Sequence, residues 1–269
     1  MKPLPVREER MDLKLTGKTA IVTGASKGIG LAIVQALAAE GVRVVGAART
    51  INQPLREATP LVFPVDLATP DGPSQLVEHS LTELGGIDVL VNNVASGQVR
   101  SRGFLEIEDS EWQRSLDGTL FSTVRATRAA LPSLIERRGC IVNIGSINSR
   151  LGVPHLVDYG AAKAALINLS KSLAEEFGPK GVRVNTISPG PVSTSIWTEP
   201  GRTGDMLAAM ANMPLSEFIT KFPSMAGLST GCMADPEEVA ALVVVLVSGC
   251  VPNMNGSDVV IDSGMLKTV

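Results

Sequence analysis

Tyr159 and Lys163 are the residues of this 269-residue chain whose types and spacing point most directly to chemistry. Four apart in a helix-compatible stretch, they share one helix face. Tyr159 is also the only tyrosine in the chain. A tyrosine phenol in water loses its proton only at a pH of ~10, too high for ready proton exchange at neutrality. An ammonium about 4 Å away favours phenolate by up to roughly 4 kcal/mol at an effective dielectric of ~20, or about three pK units. The pair is therefore expected to acidify the phenol enough for general acid–base work. Alone the spacing is uninformative, because a half-buried tyrosine beside a solvated lysine gives the same pattern. Ser146 narrows it: it closes the strand-like run 141–145, thirteen residues before Tyr159.

A second chemistry-bearing stretch lies near the start. Thr23-Gly24-Ala25-Ser26-Lys27-Gly28-Ile29-Gly30 stands between the β-branched run Thr19-Ala20-Ile21-Val22 and the helical LAIVQALAAEG, which Gly41 closes. Glycines there let the backbone turn sharply and approach a pyrophosphate, whose charge a helix N-terminus favours. The dinucleotide expected is NADP(H) rather than NAD(H). The second strand ends Ala47-Ala48-Arg49-Thr50, with no acidic residue to accept the adenosine ribose hydroxyls, and Arg49 and Lys27 both suit a 2′-phosphate. The competing reading is two solvated surface cations. Asp66 and Leu67 follow the third strand, and Asn92 follows the fourth.

The elements that must hold these residues alternate. Strands are expected at 19–22, 42–47, 62–65, 89–91, 140–144, 182–187 and 259–262, and helices at 73–84, 110–137, 158–177 and 236–248. Strand–helix alternation predicts an α/β, doubly wound domain with a parallel sheet, helices on both faces, and a ligand site at the carboxyl ends of the strands. The run between Arg49 and Asp66 leaves no room for a full crossover helix. Residues 191–235 break the rhythm with prolines, glycines and five of the nine methionines, and read as a loop covering the substrate. Trp197, Met206, Met210 and Met213 either line an apolar pocket there or simply pack.

Composition removes other classes. A formal net charge of −3 lacks the basic excess of a nucleic-acid binder. Cys140, Cys232 and Cys250 with His79 and His155 make a poor metal set, so no metal is expected. His155 reads as a surface-loop histidine. No apolar run is long enough to span a bilayer, and the first residues carry charge without a secretory apolar segment. Residues 1–12 read as an N-terminal extension, 13–269 as one domain, and the location as cytoplasmic.

Together these motifs resemble the short-chain dehydrogenase/reductase family, in its 3-oxoacyl-carrier-protein-reductase-like subgroup. The segment from Thr23 is similar to the family's TGxxxGxG, Ser146, Tyr159 and Lys163 to its Ser-x12-Tyr-x3-Lys, and Asn92-Asn93-Val94-Ala95 to its NNAG. Asn185 with Pro189-Gly190-Pro191-Val192-Ser193-Thr194 resembles N…PGxVxT, and Ile261-Asp262-Ser263-Gly264 the closing VDGG. The resemblance implies a Rossmann-type fold and hydride transfer between NADP(H) and a small-molecule carbonyl or alcohol. Tyr159 would donate the proton, Lys163 hold the nicotinamide ribose and Ser146 orient the substrate oxygen. Gly24, Ser26, Lys27, Gly28, Ile29, Gly30, Arg49, Asp66, Leu67, Asn92, Pro189, Gly190, Val192 and Thr194 would line the cofactor. Thr119 takes the place of a catalytic asparagine, and its hydroxyl is expected to help hold a relay water near Lys163. Relatives form dimers or tetramers, so a homo-oligomer, with homotetramer as the working choice, is implied. The alternatives are an NAD-linked alcohol or dihydrodiol dehydrogenase and, outside enzymes, a non-catalytic cofactor-binding regulator.

Overall fold

The sheet is built from short runs rich in valine and isoleucine, as suits strands covered on both faces. The computed structural model describes residues 11–101 and 103–267. Apart from Met11 and Asp12, the expected extension lies outside them. Strands β1 (Thr19–Thr23), β2 (Arg43–Ala48), β3 (Val62–Pro64), β4 (Val89–Asn92), β5 (Cys140–Ile144), β6 (Arg183–Pro189) and β7 (Asp258–Ile261) form one sheet. Its order is β3-β2-β1-β4-β5-β6-β7, with every neighbouring pair parallel. Strand order reverses between β1 and β4, which opens a crevice at the carboxyl ends of those strands.

Helices cover both faces. Along β1, Ala20 and Val22 face one apolar layer and Ile21 the other, the period of two that a strand imposes. The first layer is closed by α1 (Gly28–Ala39) and α10 (Pro236–Val247), through Ile33, Leu37, Val239 and Val243. The second is closed by α3 (Gly72–Leu84), α5 (Ser122–Arg137) and α6 (Val157–Phe177), through Leu76, Leu134 and Ala174.

The β2–β3 connection has no full crossover helix, only the six-residue α2 (Gln53–Ala58), started by Asn52, whose Oδ1 accepts from Leu55 N at 3.2 Å. Two expectations need correction. The helix expected over 110–137 is interrupted. It runs as α4 (Asp109–Leu116), a π-helical turn over Asp117–Phe121, and then α5. Such turns bulge a helix where something must fit against it. Here it is Ser96, whose Cβ would lie 2.5 Å from a Cβ built on Gly118. The segment 191–235, expected as a loop, contains α7 (Ser195–Thr198), α8 (Thr203–Met210) and α9 (Leu215–Met225). Its apolar residues make a small core of their own, with Trp197, Ala208 and Phe218 buried and Leu207, Met213 and Phe222 packed against them. Trp197 lies 4.5 Å from Phe222, centroid to centroid, while Met210 stays exposed. No described helix is long and apolar enough to cross a membrane.

At the opposite edge from the crevice, Asp88 locks β1 to the approach of β4. Its carboxylate accepts from Thr19 N at 3.0 Å, Thr19 Oγ1 at 2.8 Å and Lys18 Nζ at 3.1 Å. Burial alone raises its pKa. The bonds from Thr19 and the Lys18 charge outweigh that and hold it below the usual value. A depressed folded pKa gives stability that is present above the unfolded carboxylate pKa and is lost as pH falls through the folded one. Asp88→Asn should therefore cost about 1–3 kcal/mol at neutral pH and flatten the loss of stability on acidification. Urea unfolding at several pH values measures both effects.

Candidate active site

The crevice end of β1 leads straight into the glycine turn. Gly24 has φ +65° and Gly28 φ +54°, a conformation that side chains oppose. A Cβ on Gly30 would stand 2.2 Å from the Gly24 carbonyl oxygen, so turn and helix can meet only through glycine there. Lys27 at the start of α1 offers no side-chain cap, and the first turn carries no acidic residue. The first N–H groups of α1 thus present unneutralised positive dipole to an anion. This is a cradle of the shape and charge that a dinucleotide pyrophosphate requires.

Asn93, Thr23 and Asn52 hold the turn from outside its glycines. Asn93 Nδ2 donates to the carbonyls of Thr23 (2.9 Å) and Gly24 (3.2 Å). Thr23 Oγ1 accepts from the backbone of Asn93 and Val94, and Asn52 Nδ2 donates to Ser26 O at 2.7 Å. Asn92, expected at the cofactor, has its side chain elsewhere. It is buried and donates to Asn143 Oδ1 (2.8 Å) and Thr127 Oγ1 (3.2 Å), across β4 and β5. The reason is the strand's period of two: Asn92 is the last residue of β4, and the next one reaches the turn.

The other cofactor candidates border the crevice. Arg49 is exposed beyond β2 and pairs with no described residue, whereas Lys27 lies 3.7 Å from Glu199. Asp66 is exposed and its Oδ1 accepts from Ala68 N, while Leu67 is buried. Pro189 ends β6, and Gly190 packs on Asp262, where a Cβ would meet backbone at 2.8 Å. Val192 bridges to Ala234, and the Thr194 methyl stands 3.1 Å from a Cβ built on Gly28. Ser26 and Ile29 lie within the turn itself.

Ser146, Tyr159 and Lys163 converge at the end of β5. Gly145 N donates to Ile187 O and sets the exit from the strand. Ser146 then accepts from Asn148 N at 3.2 Å and hydrogen-bonds Tyr159, which sits in the first turn of α6. One turn later Lys163, 2% exposed, donates to Ile144 O at 2.5 Å, with its Nζ 5.8 Å from the Tyr159 ring centroid. The expected acidic phenol is absent. Burial raises the Tyr159 pKa, with the Ser146 bond lowering it in part. Burial likewise pushes Lys163 down to about 7. Desolvation disfavours charge on both groups, so the ammonium does not impose the phenolate that their spacing implied. A protonated phenol with a lysine that exchanges its proton near neutrality 5.8 Å from its ring is an acid with a second proton-carrying group nearby.

Two further expectations change. Thr119 Oγ1 donates to Ser96 O (3.1 Å) and accepts from Ser96 N (3.0 Å), so its proton goes to the loop after β4 and not toward Lys163. His155 is only part-buried, but it is not a free surface histidine: its Nδ1 meets Arg100 O at 2.8 Å. Sequence reasoning also missed Gly97, whose backbone lies on the Tyr159 ring, and the buried pair Arg100–Asp158. The one available signal was an acid directly before the tyrosine.

An open parallel sheet with this site defines an oxidoreductase of the short-chain dehydrogenase/reductase type, and the chain belongs to that family. Residues 24–266 match the family model described as enoyl-(acyl carrier protein) reductase. Among relatives, the chain is similar to the 3-oxoacyl-[acyl-carrier-protein] reductase FabG of Escherichia coli K12, 31% identical over 94% of this chain and 99% of that one. It is also similar to the L-sorbose reductase of Gluconobacter frateurii, solved with NADPH and L-sorbose: 33% identity, TM-score 0.88, 96% of this chain and 100% of that one. A third is an NADPH-bound short-chain oxidoreductase of Pseudomonas aeruginosa PAO1 with an atypical catalytic centre: 30% identity, TM-score 0.83, 94% and 99% coverage.

Thr119→Val keeps the side-chain shape and strips both bonds from Ser96. It should destabilise the fold by about 1–3 kcal/mol, read as a lowered urea midpoint with an unchanged slope.

Proposed function

We propose that the protein reduces a ketone or 3-oxoacyl carbonyl to a secondary alcohol with NADPH. The observation that carries this reading is the meeting of Ser146, Tyr159 and Lys163 at the end of β5, beside the glycine turn. NADPH, when bound, supplies the hydride that goes to the carbonyl carbon. The chain's own residues manage the oxygen and its proton. Ser146 orients the oxygen by hydrogen bonding. The Tyr159 phenol holds its proton at neutral pH, because burial keeps its pKa high, and delivers it to the oxygen as negative charge develops there. Lys163 titrates near 7 and can return a proton to the phenol between turnovers.

NADPH rather than NADH is supported by Arg49, exposed where a 2′-phosphate would lie, by Lys27 and by the absence of an acid at Ala48. The glycine-turn residues Gly24, Ser26, Lys27, Gly28, Ile29 and Gly30 hold the pyrophosphate on the start of α1. Asp66 and Leu67 flank the adenine, and the backbone of Pro189, Gly190 and Val192 with Thr194 holds the carboxamide end. The α7–α9 segment covers the substrate. Assembly as a dimer or tetramer uses the α4–α5 and α6 faces, where Phe121 is exposed.

The test is NADPH consumption against a carbonyl panel that includes acetoacetyl-CoA, as a 3-oxoacyl thioester, and L-sorbose, as a ketose. Turnover with at least one is expected. Tyr159→Phe should lower it by roughly two to four orders of magnitude with NADPH binding retained. Near-normal turnover in that variant contradicts the assignment. In fluorescence titrations NADPH should bind more tightly than NADH, and Arg49→Ala should weaken NADPH selectively. Equal affinities in the unmodified protein would remove the cofactor reading.

A further inference from the structure

We propose that Arg100, acting through Asp158 and Glu111, is a positioning residue that keeps the backbone of Gly97 seated on the Tyr159 ring and so fixes the phenol and shields that face of it from water. The inference rests on the reading of Tyr159 as proton donor.

Arg100 is 9% exposed and lies in the loop between β4 and α4. Its Nε and Nη2 donate to Asp158 Oδ2 at 3.2 and 2.7 Å, and its Nη1 to Glu111 Oε1 at 2.6 Å. Its backbone is held as well: Arg100 N donates to His155 O at 2.7 Å, and Arg100 O faces His155 Nδ1. Asp158 is fully buried and also accepts from Ser115 Oγ at 2.5 Å. One guanidinium therefore ties the loop to both α4 and α6.

Asp158 immediately precedes Tyr159, and Arg100 is three residues from Gly97. A Cβ on Gly97 would stand 2.5 Å from Tyr159 Cδ2 and 2.9 Å from Cγ, so loop backbone and ring are in direct contact. On the other side of Gly97 the loop is pinned by the two bonds between Ser96 and Thr119. The stretch that touches the ring is thus anchored on each side.

A buried ion network is a poor way to gain stability, since desolvation of the charges offsets their attraction and apolar residues of similar volume often do as well. What a guanidinium bridging two carboxylates supplies that apolar packing does not is fixed geometry. Its placement next to the phenol is where fixed geometry has most effect on a rate. The groups that face the phenol are Ser146, Lys163 and the Gly97 backbone. The charges behind them are Arg100, Asp158 and Glu111, with His155 beside the loop.

Because Tyr159 is the only tyrosine, the near-ultraviolet phenolate absorbance reports this group alone. Asp158→Asn removes a negative charge and Arg100→Gln a positive one, so pure Coulomb effects on the phenol have opposite signs. Release of the loop admits water in both variants. The proposal predicts that both lower the titration midpoint, by about one pH unit, with circular dichroism showing an intact fold at each pH. Shifts of opposite sign, or no shift in either folded variant, overturn it. The titration needs no substrate, so the two readings separate. Full turnover in Tyr159→Phe would sink the proton-donor assignment, whereas an inactive Tyr159→Phe with unmoved or opposed midpoints would sink the positioning role alone.

Discussion

The burial of Lys163 against the last carbonyl of β5 is the constraint on which the site depends. An ammonium out of water needs partners, and the fold gives it Ile144 O and the neighbourhood of the Tyr159 ring. That arrangement requires α6 to start where it does, so that Tyr159 falls one turn before Lys163, and requires β5 to end at Ile144, whose carbonyl receives the ammonium. Ser146 then falls beside the phenol. With its pKa pushed down to about 7, Lys163 can carry or release a proton near neutral pH. The site is a consequence of fitting one long polar side chain into the seam between a helix and a sheet.

The cofactor end is built on the opposite physical demand, a lack of side chains. Gly30 admits the approach of the Gly24 carbonyl, and α1 begins with no cap of its own. Asn93 and Asn52 fix this turn from β4 and from α2. The crevice between β1 and β4 thus has one wall made of backbone N–H groups and another that carries Tyr159. The loop after β4 belongs to both, holding the glycine turn at Asn93 and the tyrosine at Gly97.

Much of this was legible in the chain. Seven short β-branched runs separated by helical stretches were enough for the parallel sheet, because a doubly covered strand has little choice of composition. Ser146, Tyr159 and Lys163 were legible through spacing. What spacing could not carry was solvation: proximity suggested an acidified phenol, but burial acts on both partners and reverses the sign. Nor could it show that Asn92 points into the sheet while Asn93 holds the turn, a difference of one residue that the strand's end decides. The helices of 195–225 were hidden because Pro200, Pro214 and Pro223 look like loop punctuation, although proline also sits comfortably just before a helix, as Pro214 does before α9. The Arg100–Asp158 pair joins residues far apart in sequence, and the acid before Tyr159 gives no sign of its partner.

The environment of Lys163 decides whether the site can work as described, and side-chain nitrogen NMR of lysine-labelled protein measures it directly. One lysine should show a midpoint near 7 in the free protein, lost in Lys163→Met and moved upward when NADPH brings its negative charge into the crevice. If every lysine instead titrates at the ordinary ~10.4, Lys163 is solvated, and the buried proton carrier described here does not exist.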